Sequence, residues 1–477
     1  MDESSFKHQV IIVGGGITGL TLAVAFERLG VDYVLLEAYG SVTPNVGASI
    51  GLFAHGLRIL DQLGIFDDFK PYSFPGSVTQ LRNGETGTKI MTTSINTLLE
   101  KRHGYLPTFT NRHLLVSILH NHIRDKDKLL VKKNVVRIET TPDRALVHLE
   151  DGLLYEAQLV IGADGIHSTV RKEMWRNADA NDPATIPKGD RKPIRNDYAC
   201  VFGAGGGTPE TNANTSFLLC NDPVAGLTYY LSWVLPKSQR QCPIDQITRL
   251  TKDEEKAALN RLGDMVVNDN GVRVRDVVDS CKKSGSTTLP CYALRRWGYG
   301  RIVILGDAAH KPNPLSGQGG NSCIESCAAL VNTLQDQLGP KLADEPAWGV
   351  DRLAAAFRAL ERERVDRVTA IVEGAQERSA SMMWRTFWGK LMQKYVAPLL
   401  PVSAFASLQS KITVGGVRLR GAFEKPKAKA EWLYDDEKLP RSDLPLVSVS
   451  VVTLGLCITA LFATKLYNPI TMGMLVQ

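Results

Sequence analysis

The chain has 477 residues, 44% of them hydrophobic and 22% charged, with a formal net charge of +6. That length exceeds one simple core and, at roughly 150 residues per domain, corresponds to about three units of an ordinary globular enzyme. The positive charge is spread along the chain without a Lys/Arg block, which excludes a nucleic-acid partner.

Met1–His8 is polar, and the apolar run from Val10 passes at once into a glycine-rich turn, leaving no room for a signal peptide. Residues 9–37 read as strand, turn, helix and strand: Gln9–Val13 is β-branched, Gly14–Gly19 is the turn, Leu20–Leu29 an amphipathic helix and Tyr33–Glu37 the second strand. Such a βαβ unit opens a parallel, doubly wound sheet. Residues 112–125 read as helix and 129–162 as short strands ending in Leu159-Val160-Ile161-Gly162. Residues 190–235 contain strand-like stretches broken by Gly203-Ala204-Gly205-Gly206-Gly207, as in an antiparallel sheet. Arg301–Leu305 is a buried strand, followed by a glycine-rich loop and a helix from about Gln318; residues 351–380 form a charged amphipathic helix. No internal repeat or low-complexity segment is present.

A charged, proline-containing connector, Lys425–Pro445, leads to Leu444–Thr464, which has 21 residues without a charge. At about 1.5 Å per residue a helix of that length reaches the ~30 Å of a hydrocarbon core. The run is expected to be a C-terminal membrane anchor with the catalytic part in the cytosol, at the endoplasmic reticulum. The alternative is a buried terminal helix, favoured by its Val, Thr and Ser content. The eight cysteines (Cys200, Cys220, Cys242, Cys281, Cys291, Cys323, Cys327 and Cys457) form no CxxC pair, and no His stands at zinc-finger spacing. They read as reduced thiols rather than metal ligands. Asn214-Thr215-Ser216 is a formal glycosylation sequon that matters only in a secretory lumen.

Three motifs carry chemistry. Gly14-Gly15-Gly16-Ile17-Thr18-Gly19 fits GxGxxG: Gly14 permits the tight turn, Gly16 the approach of a pyrophosphate, and Gly19 close packing of helix on strand. The helix N-terminus supplies amide donors to the phosphates, and Glu37 ends the second strand where a carboxylate meets ribose hydroxyls. The motif alone does not separate FAD from NAD. Further on, Gly306-Asp307 ends a strand, so the Asp projects at the carboxyl edge of the sheet; the loop Ser316–Gly320 then opens a helix whose amides suit a negatively charged group. Between them, Val160–Arg171 carries a second strand into Asp164-Gly165, with Ser168 and Arg171 starting another helix.

With these three motifs in this order, the chain resembles the class A flavoprotein monooxygenases, the para-hydroxybenzoate hydroxylase-like family, over roughly residues 8–375. The resemblance implies an α/β fold: a Rossmann-like FAD-binding domain with an inserted antiparallel-sheet substrate domain, C-terminal helices and an apolar tail. The implied division is 1–75, 104–185 and 290–380 for FAD binding, the last with the long helix, and 76–103 and 186–289 for substrate. A C-terminal helical segment and linker at 381–443 and the apolar helix at 444–464 complete it. Gly14, Gly16, Gly19 and Glu37 would hold the ADP part of FAD, and Asp307 the ribityl chain. Asp164, with Gly165, Ser168 and Arg171, would serve FAD and the passing nicotinamide cofactor. Arg112, within Asn111-Arg112-His113-Leu114-Leu115, is a further implied FAD contact. Gly51, in Gly47–Gly51, would pass beside the flavin, while Gly317, Gly320 and Asn321 would border its ring.

Within that family the chain is most similar to fungal enzymes that epoxidise prenyl chains of meroterpenoid and indole-diterpene precursors. The features are the Gly317–Asn321 loop, Met383–Tyr395 and the apolar tail. The implied cofactors are FAD and NAD(P)H, and the implied co-substrate is O2. The implied chemistry is flavin reduction, addition of O2 at C4a and transfer of the distal oxygen to a small apolar, prenylated substrate. Some aromatic-hydroxylating relatives hold a phenolate with an Arg and a Tyr. Arg195 and Tyr229 correspond by position, the alternative being ordinary strand surface and strand core. His310 could act as acid or base, although its Ala-Ala-His context reads as structural. An alkene needs no base, only proximity and orientation, so a dry apolar pocket suits epoxidation. Hydroxylation of an activated aromatic ring, and a flavin dehydrogenase or oxidase without oxygen transfer, stay open as alternatives.

Overall fold

The computed structural model describes residues 6–44, 49–72, 79–83, 86, 88–204, 217–222, 226–247, 250–266, 271–281, 283–385 and 387–438. The β-branched run Val10-Ile11-Ile12-Val13 lies inside Phe6–Val13, the central strand of a mixed sheet, and is buried on both faces, as a parallel strand covered by helices must be. The sheet runs in the order Gly298–Tyr299, Ile302–Ile304, Leu154–Gly162, Phe6–Val13, Tyr33–Glu37, Leu129–Val131, with Val135–Thr140 and Ala145–Leu149 continuing from Leu154–Gly162. Its four inner strands are parallel, as are Tyr33–Glu37 and Leu129–Val131. Register then does something that chain order conceals. Val13 stands opposite Leu36 on one side and Gly162 on the other, and Gly162 stands opposite Ile304. Four strand ends therefore share one edge of the sheet, where ligands sit in such folds.

The helix Ile17–Arg28 begins three residues before the expected Leu20, because Ile17-Thr18-Gly19 form its first turn rather than a separate loop. It packs on Gly319–Leu338, a 20-residue helix that is buried nearly all round. Cys327 closes that contact, its Sγ lying 3.4 Å from the Thr18 carbonyl. Val350–Met382, 33 residues long, crosses behind them, its buried stripe carrying Leu353, Phe357, Leu360, Val368 and Ile371.

A second, antiparallel sheet has the order Phe217–Asp222, Gly226–Val234, Tyr198–Ala204, Lys283–Thr288. The strand Tyr198–Ala204 runs through Gly203, which the sequence had read as a break; Gly205–Gly207 lie outside the described residues. Its two faces differ. Val201, Tyr229 and Leu231 pack on Val274 and Val277 of a covering helix, Val274–Ser280. Tyr198, Cys200, Phe202, Tyr230, Leu289 and Met383 gather on the other face.

The residues up to Asp436 form one compact unit. The expected membrane anchor, residues 444–464, lies outside the described residues, as does Cys457. Among the described residues no helix is long and apolar enough to cross a membrane. The two longest helices instead carry Glu325 and Arg364, paired with each other inside the core. This corrects the expectation of a membrane anchor at the endoplasmic reticulum. That expectation rested on the length and hydropathy of one run, and no described helix supports it.

A candidate flavin site at the carboxyl edge of the sheet

Gly14 leaves the central strand at φ +106°, a conformation open to glycine, and a Cβ there would meet the Ala163 carbonyl oxygen at 2.5 Å. At Gly19 a Cβ would fall 1.9 Å from the Gly14 carbonyl oxygen, so helix and turn touch through this glycine. Gly16 is different. The nearest atom to a Cβ there is the Arg112 guanidinium, at 3.9 Å, so the space over this residue is free of protein. Gly16 is also the N-cap of the helix, with no side-chain cap and no acidic residue in the first turn. Unsatisfied amides, the positive end of a helix dipole and an arginine thus face one open space, as a pyrophosphate requires. Arg112 reaches it from the first turn of Arg112–His122, whose N-terminus is capped by Asn111 accepting from the Leu114 amide at 3.2 Å.

Glu37 lies beside the turn. Its Oε2 accepts from the Gly15 amide at 2.7 Å and its Oε1 from the Tyr39 amide at 2.8 Å. Each carboxylate oxygen keeps a further lone pair, enough to accept from two ribose hydroxyls.

The two aspartate loops meet next to it. Ser168 caps the helix Thr169–Asn181 by accepting from the Arg171 amide, and Asp164 accepts from the Val170 amide at 3.0 Å. Burial raises the Asp164 carboxyl above its ordinary range, against the pull of Ser168 and that amide. Arg171 is fully buried and donates to the carbonyls of Ala308 at 2.9 Å and Ile166 at 2.8 Å, tying one loop to the other. Tyr292 adds a hydrogen bond to the Asp307 carbonyl. The Asp307 carboxylate stays partly exposed and pairs with Lys311 at 2.5 Å. Burial opposes the charge on Lys311, but Asp307 prevails and holds the ammonium's pKa above its usual value.

The loop before Gly319–Leu338 supplies the last side. Gly317 has φ +65° and lies under the Phe53 ring. Asn321, fully buried, donates from Nδ2 to the carbonyls of Gly51 and Gly317 and accepts at Oδ1 from the Phe53 amide. It therefore locks the short strand Ser49–Leu52 to this loop. Gly320 packs under Ile50, where a Cβ would be 2.4 Å from Cδ1, and Gly51 packs on the Phe109 ring. Gly47 and Ala48 lie outside the described residues.

The two expected substrate contacts, Tyr229 and Arg195, have the following surroundings. Tyr229 is fully buried on the helix-covered face of the antiparallel sheet, because strand parity places it opposite the face that holds Tyr198, Cys200 and Tyr230. Its neighbour Tyr230 takes the inner face and donates its hydroxyl to the Ser49 carbonyl at 2.5 Å. Arg195, on the short strand Ile194–Arg195, is more than half exposed and paired with Asp197 at 2.9 Å. His310 is buried against Trp297 and bonded to Ser326 at 2.9 Å. Burial and Arg364 lower its pKa to about 3, so it stays neutral.

Sequence reading overlooked several groups. His55 is fully buried and bonded through Nε2 to Gln318 Oε1 at 3.0 Å, with its pKa lowered to about 4 by burial. Glu325 is fully buried between Arg364 at 3.1 Å and Arg367 at 2.9 Å. Burial alone would raise its carboxyl; the two guanidiniums hold it well below the usual range. Neither cluster has a short-range motif, since each joins residues far apart in the chain. Two surface cavities, of about 330 and 230 Å³, lie around Arg28 at the other end of the helix that Gly16 begins, and contribute nothing to this site.

An uncapped helix N-terminus, an acidic strand end and two clamped Gly/Asp loops on one sheet edge are the marks of a dinucleotide-binding protein of α/β class. The family model described as an FAD binding domain matches residues 7–186 and 214–344, and the chain belongs to that family. It is 32% identical over 408 residues to the FAD-dependent monooxygenase esdpE of Penicillium shearii, covering 82% of each chain. It is also 32% identical to the FAD-dependent monooxygenase atnA of Arthrinium sp, covering 94% of this chain and 61% of that longer protein. In fold it is similar to Klebsiella pneumoniae HpxO complexed with FAD and uric acid, with a TM-score of 0.68 at 21% identity, over 87% of this chain and 98% of that one. The chain is an FAD-dependent monooxygenase of the fungal secondary-metabolism group, with FAD as cofactor and NAD(P)H the co-substrate typical of the family.

Proposed function

We propose that this enzyme uses NAD(P)H and O2 to epoxidise an alkene of a prenylated secondary-metabolite precursor. The observation that carries this reading is the inner face of the antiparallel sheet. Tyr198, Cys200, Phe202, Tyr230, Leu289 and Met383 form an apolar cluster there, and Arg385, which donates to the Tyr198 hydroxyl at 3.1 Å, is already paired with Asp197 at 3.6 Å. A phenolate-forming hydroxylase needs a group to take or stabilise charge on its substrate. An alkene needs only a dry surface that holds it in line.

FAD, when bound and reduced by the nicotinamide, supplies the oxygen activation. One atom of O2 enters the alkene and the other leaves as water, the two electrons coming from NAD(P)H. The chain's own residues bind and orient. In this reading Gly14, Gly16, Gly19, Glu37 and Arg112 hold the ADP half, and Asp307 holds the ribityl chain. Asp164 sits at the loop beside it, and Gly51, Gly317, Gly320 and Asn321 shape the ring's surroundings. The segments 76–103 and 186–289 form the substrate side. This reading gives Arg195 and Tyr229 no role, Arg195 being exposed and paired with Asp197 and Tyr229 lying on the helix-covered face.

The test is turnover of a farnesylated phenol under isotopically labelled O2, with the product analysed by mass spectrometry and NMR. Label in an epoxide on the prenyl chain is the expected result. Label on the ring would replace epoxidation by aromatic hydroxylation, and hydrogen peroxide without labelled product would make the enzyme an oxidase.

A further inference from the structure

We propose that Tyr230 is a positioning residue whose hydroxyl tethers the antiparallel sheet to the flavin-side strand and so sets the width of the cleft between them. The inference rests on reading that cleft as the place of oxygenation. Side chains alternate along Gly226–Val234, so Tyr229 and Leu231 face the covering helix while Tyr230 faces inward. Its ring packs near Phe202, with centroids 6.2 Å apart, and Phe202 is itself seated on Gly285, where a Cβ would come within 2.9 Å of the ring. The phenol is therefore braced from behind. Its hydroxyl crosses to the Ser49 carbonyl, at 2.5 Å.

The acceptor's position gives this bond its consequence. Ser49 opens the strand Ser49–Leu52, which pairs with Thr108–Asn111. Two residues on, the Gly51 carbonyl is held by Asn321, which also holds Gly317. On the paired strand, Asn111 stands opposite Ser49 and caps the helix that begins with Arg112. One hydroxyl thus joins the substrate sheet to a ribbon whose two ends reach the ring loop and the pyrophosphate space. The bond is made by a side chain to a backbone carbonyl, so it can break without disrupting either sheet. While it is made, the bond holds the Tyr230 strand to Ser49–Leu52, and in this proposal that closeness keeps an apolar chain in line beside Gly51 and water out.

The experiment compares flavin-loaded wild type with Tyr230→Phe, which keeps the ring and removes the hydroxyl. Three quantities are measured: iodide quenching of flavin fluorescence, hydrogen exchange of the 49–52 amides, and the ratio of product to hydrogen peroxide. In the variant, iodide reaches the flavin more readily and the 49–52 amides exchange faster, while those of Val10–Val13 are unchanged. The product fraction falls by about tenfold, the order expected when reacting groups lose alignment, and the loss appears in kcat and coupling more than in KM. A merely structural role would lower flavin retention and melting temperature without changing quenching. Wild-type quenching and exchange in Tyr230→Phe overturn the tether, whatever the substrate is. If quenching and exchange both change but no alkene is ever oxygenated by either protein, the tether stands and the proposed reaction falls.

Discussion

Two glycines of one motif separate folding from binding. A Cβ at Gly19 would overlap the Gly14 carbonyl, so Gly19→Ala is expected to destabilise the apoprotein by about 1–3 kcal/mol, the cost of overpacking a tight contact. A Cβ at Gly16 meets nothing closer than 3.9 Å, and its φ of −79° suits any residue. Gly16→Ala should therefore leave the apoprotein's melting temperature unchanged and weaken FAD binding, because the methyl group occupies the pyrophosphate's space. Equal melting losses in the two variants would break that division. Asp307 supplies a second contrast. Its carboxylate is partly exposed and pairs with Lys311, so Asp307→Ala should fold, yet bind FAD about 10–100-fold more weakly, as for a lost hydrogen bond to a charged group. Full flavin content after gel filtration would remove Asp307 from the site. The motif glycines and aspartates were legible in the sequence because each answers a local need, a tight turn or a strand end. The face taken by Tyr229 was not legible, because parity within a strand depends on which face the tertiary fold covers.

At the scale of elements, the helices Gly319–Leu338 and Val350–Met382 are joined by buried polar groups rather than by apolar packing alone. Glu325 is held between Arg364 and Arg367. Glu325→Gln leaves two guanidiniums without their counter-charge and should lower stability by about 3–5 kcal/mol in urea unfolding. The carboxyl's folded pKa is depressed, so this contribution is present above pH ~4.5 and lost as pH falls through the folded value. The histidines act in a different window. His310 and His55 have folded pKa values of about 3 and about 4 against ~6.5 unfolded, so the unfolded chain binds more protons below that value. Stability should fall from pH 6.5 towards 4, by roughly 2 kcal/mol per histidine at pH 5. Urea melts of wild type and His310→Gln at pH 7 and 5 measure this, and the variant's smaller difference identifies the imidazole. Element types were largely readable from periodicity, whereas this buried network was not. Its partners lie about 40 residues apart or more and leave no repeating pattern.

For the whole molecule, every residue proposed to contact FAD lies within the compact unit ending at Asp436. Removing residues 439–477 should therefore leave flavin content and the flavin absorbance spectrum unchanged. A colourless truncated protein would show that the unit needs the remainder. The membrane anchor expected from residues 444–464 shows where hydropathy stops being informative: a charge-free run satisfies the length requirement, but only placement decides what covers it. By itself the sequence determined the dinucleotide turn, the two Gly/Asp loops and the order of the main elements, because glycine conformations, strand ends and helix starts are short-range demands on neighbouring residues; FAD rather than NAD came from the family resemblance. The tertiary structure alone decided that these loops meet on one sheet edge, that Arg171 and Asn321 clamp them, and that Tyr230 rather than Tyr229 reaches the Ser49 carbonyl. Those facts follow from strand register and side-chain parity, which are set by pairings between residues tens to hundreds of positions apart.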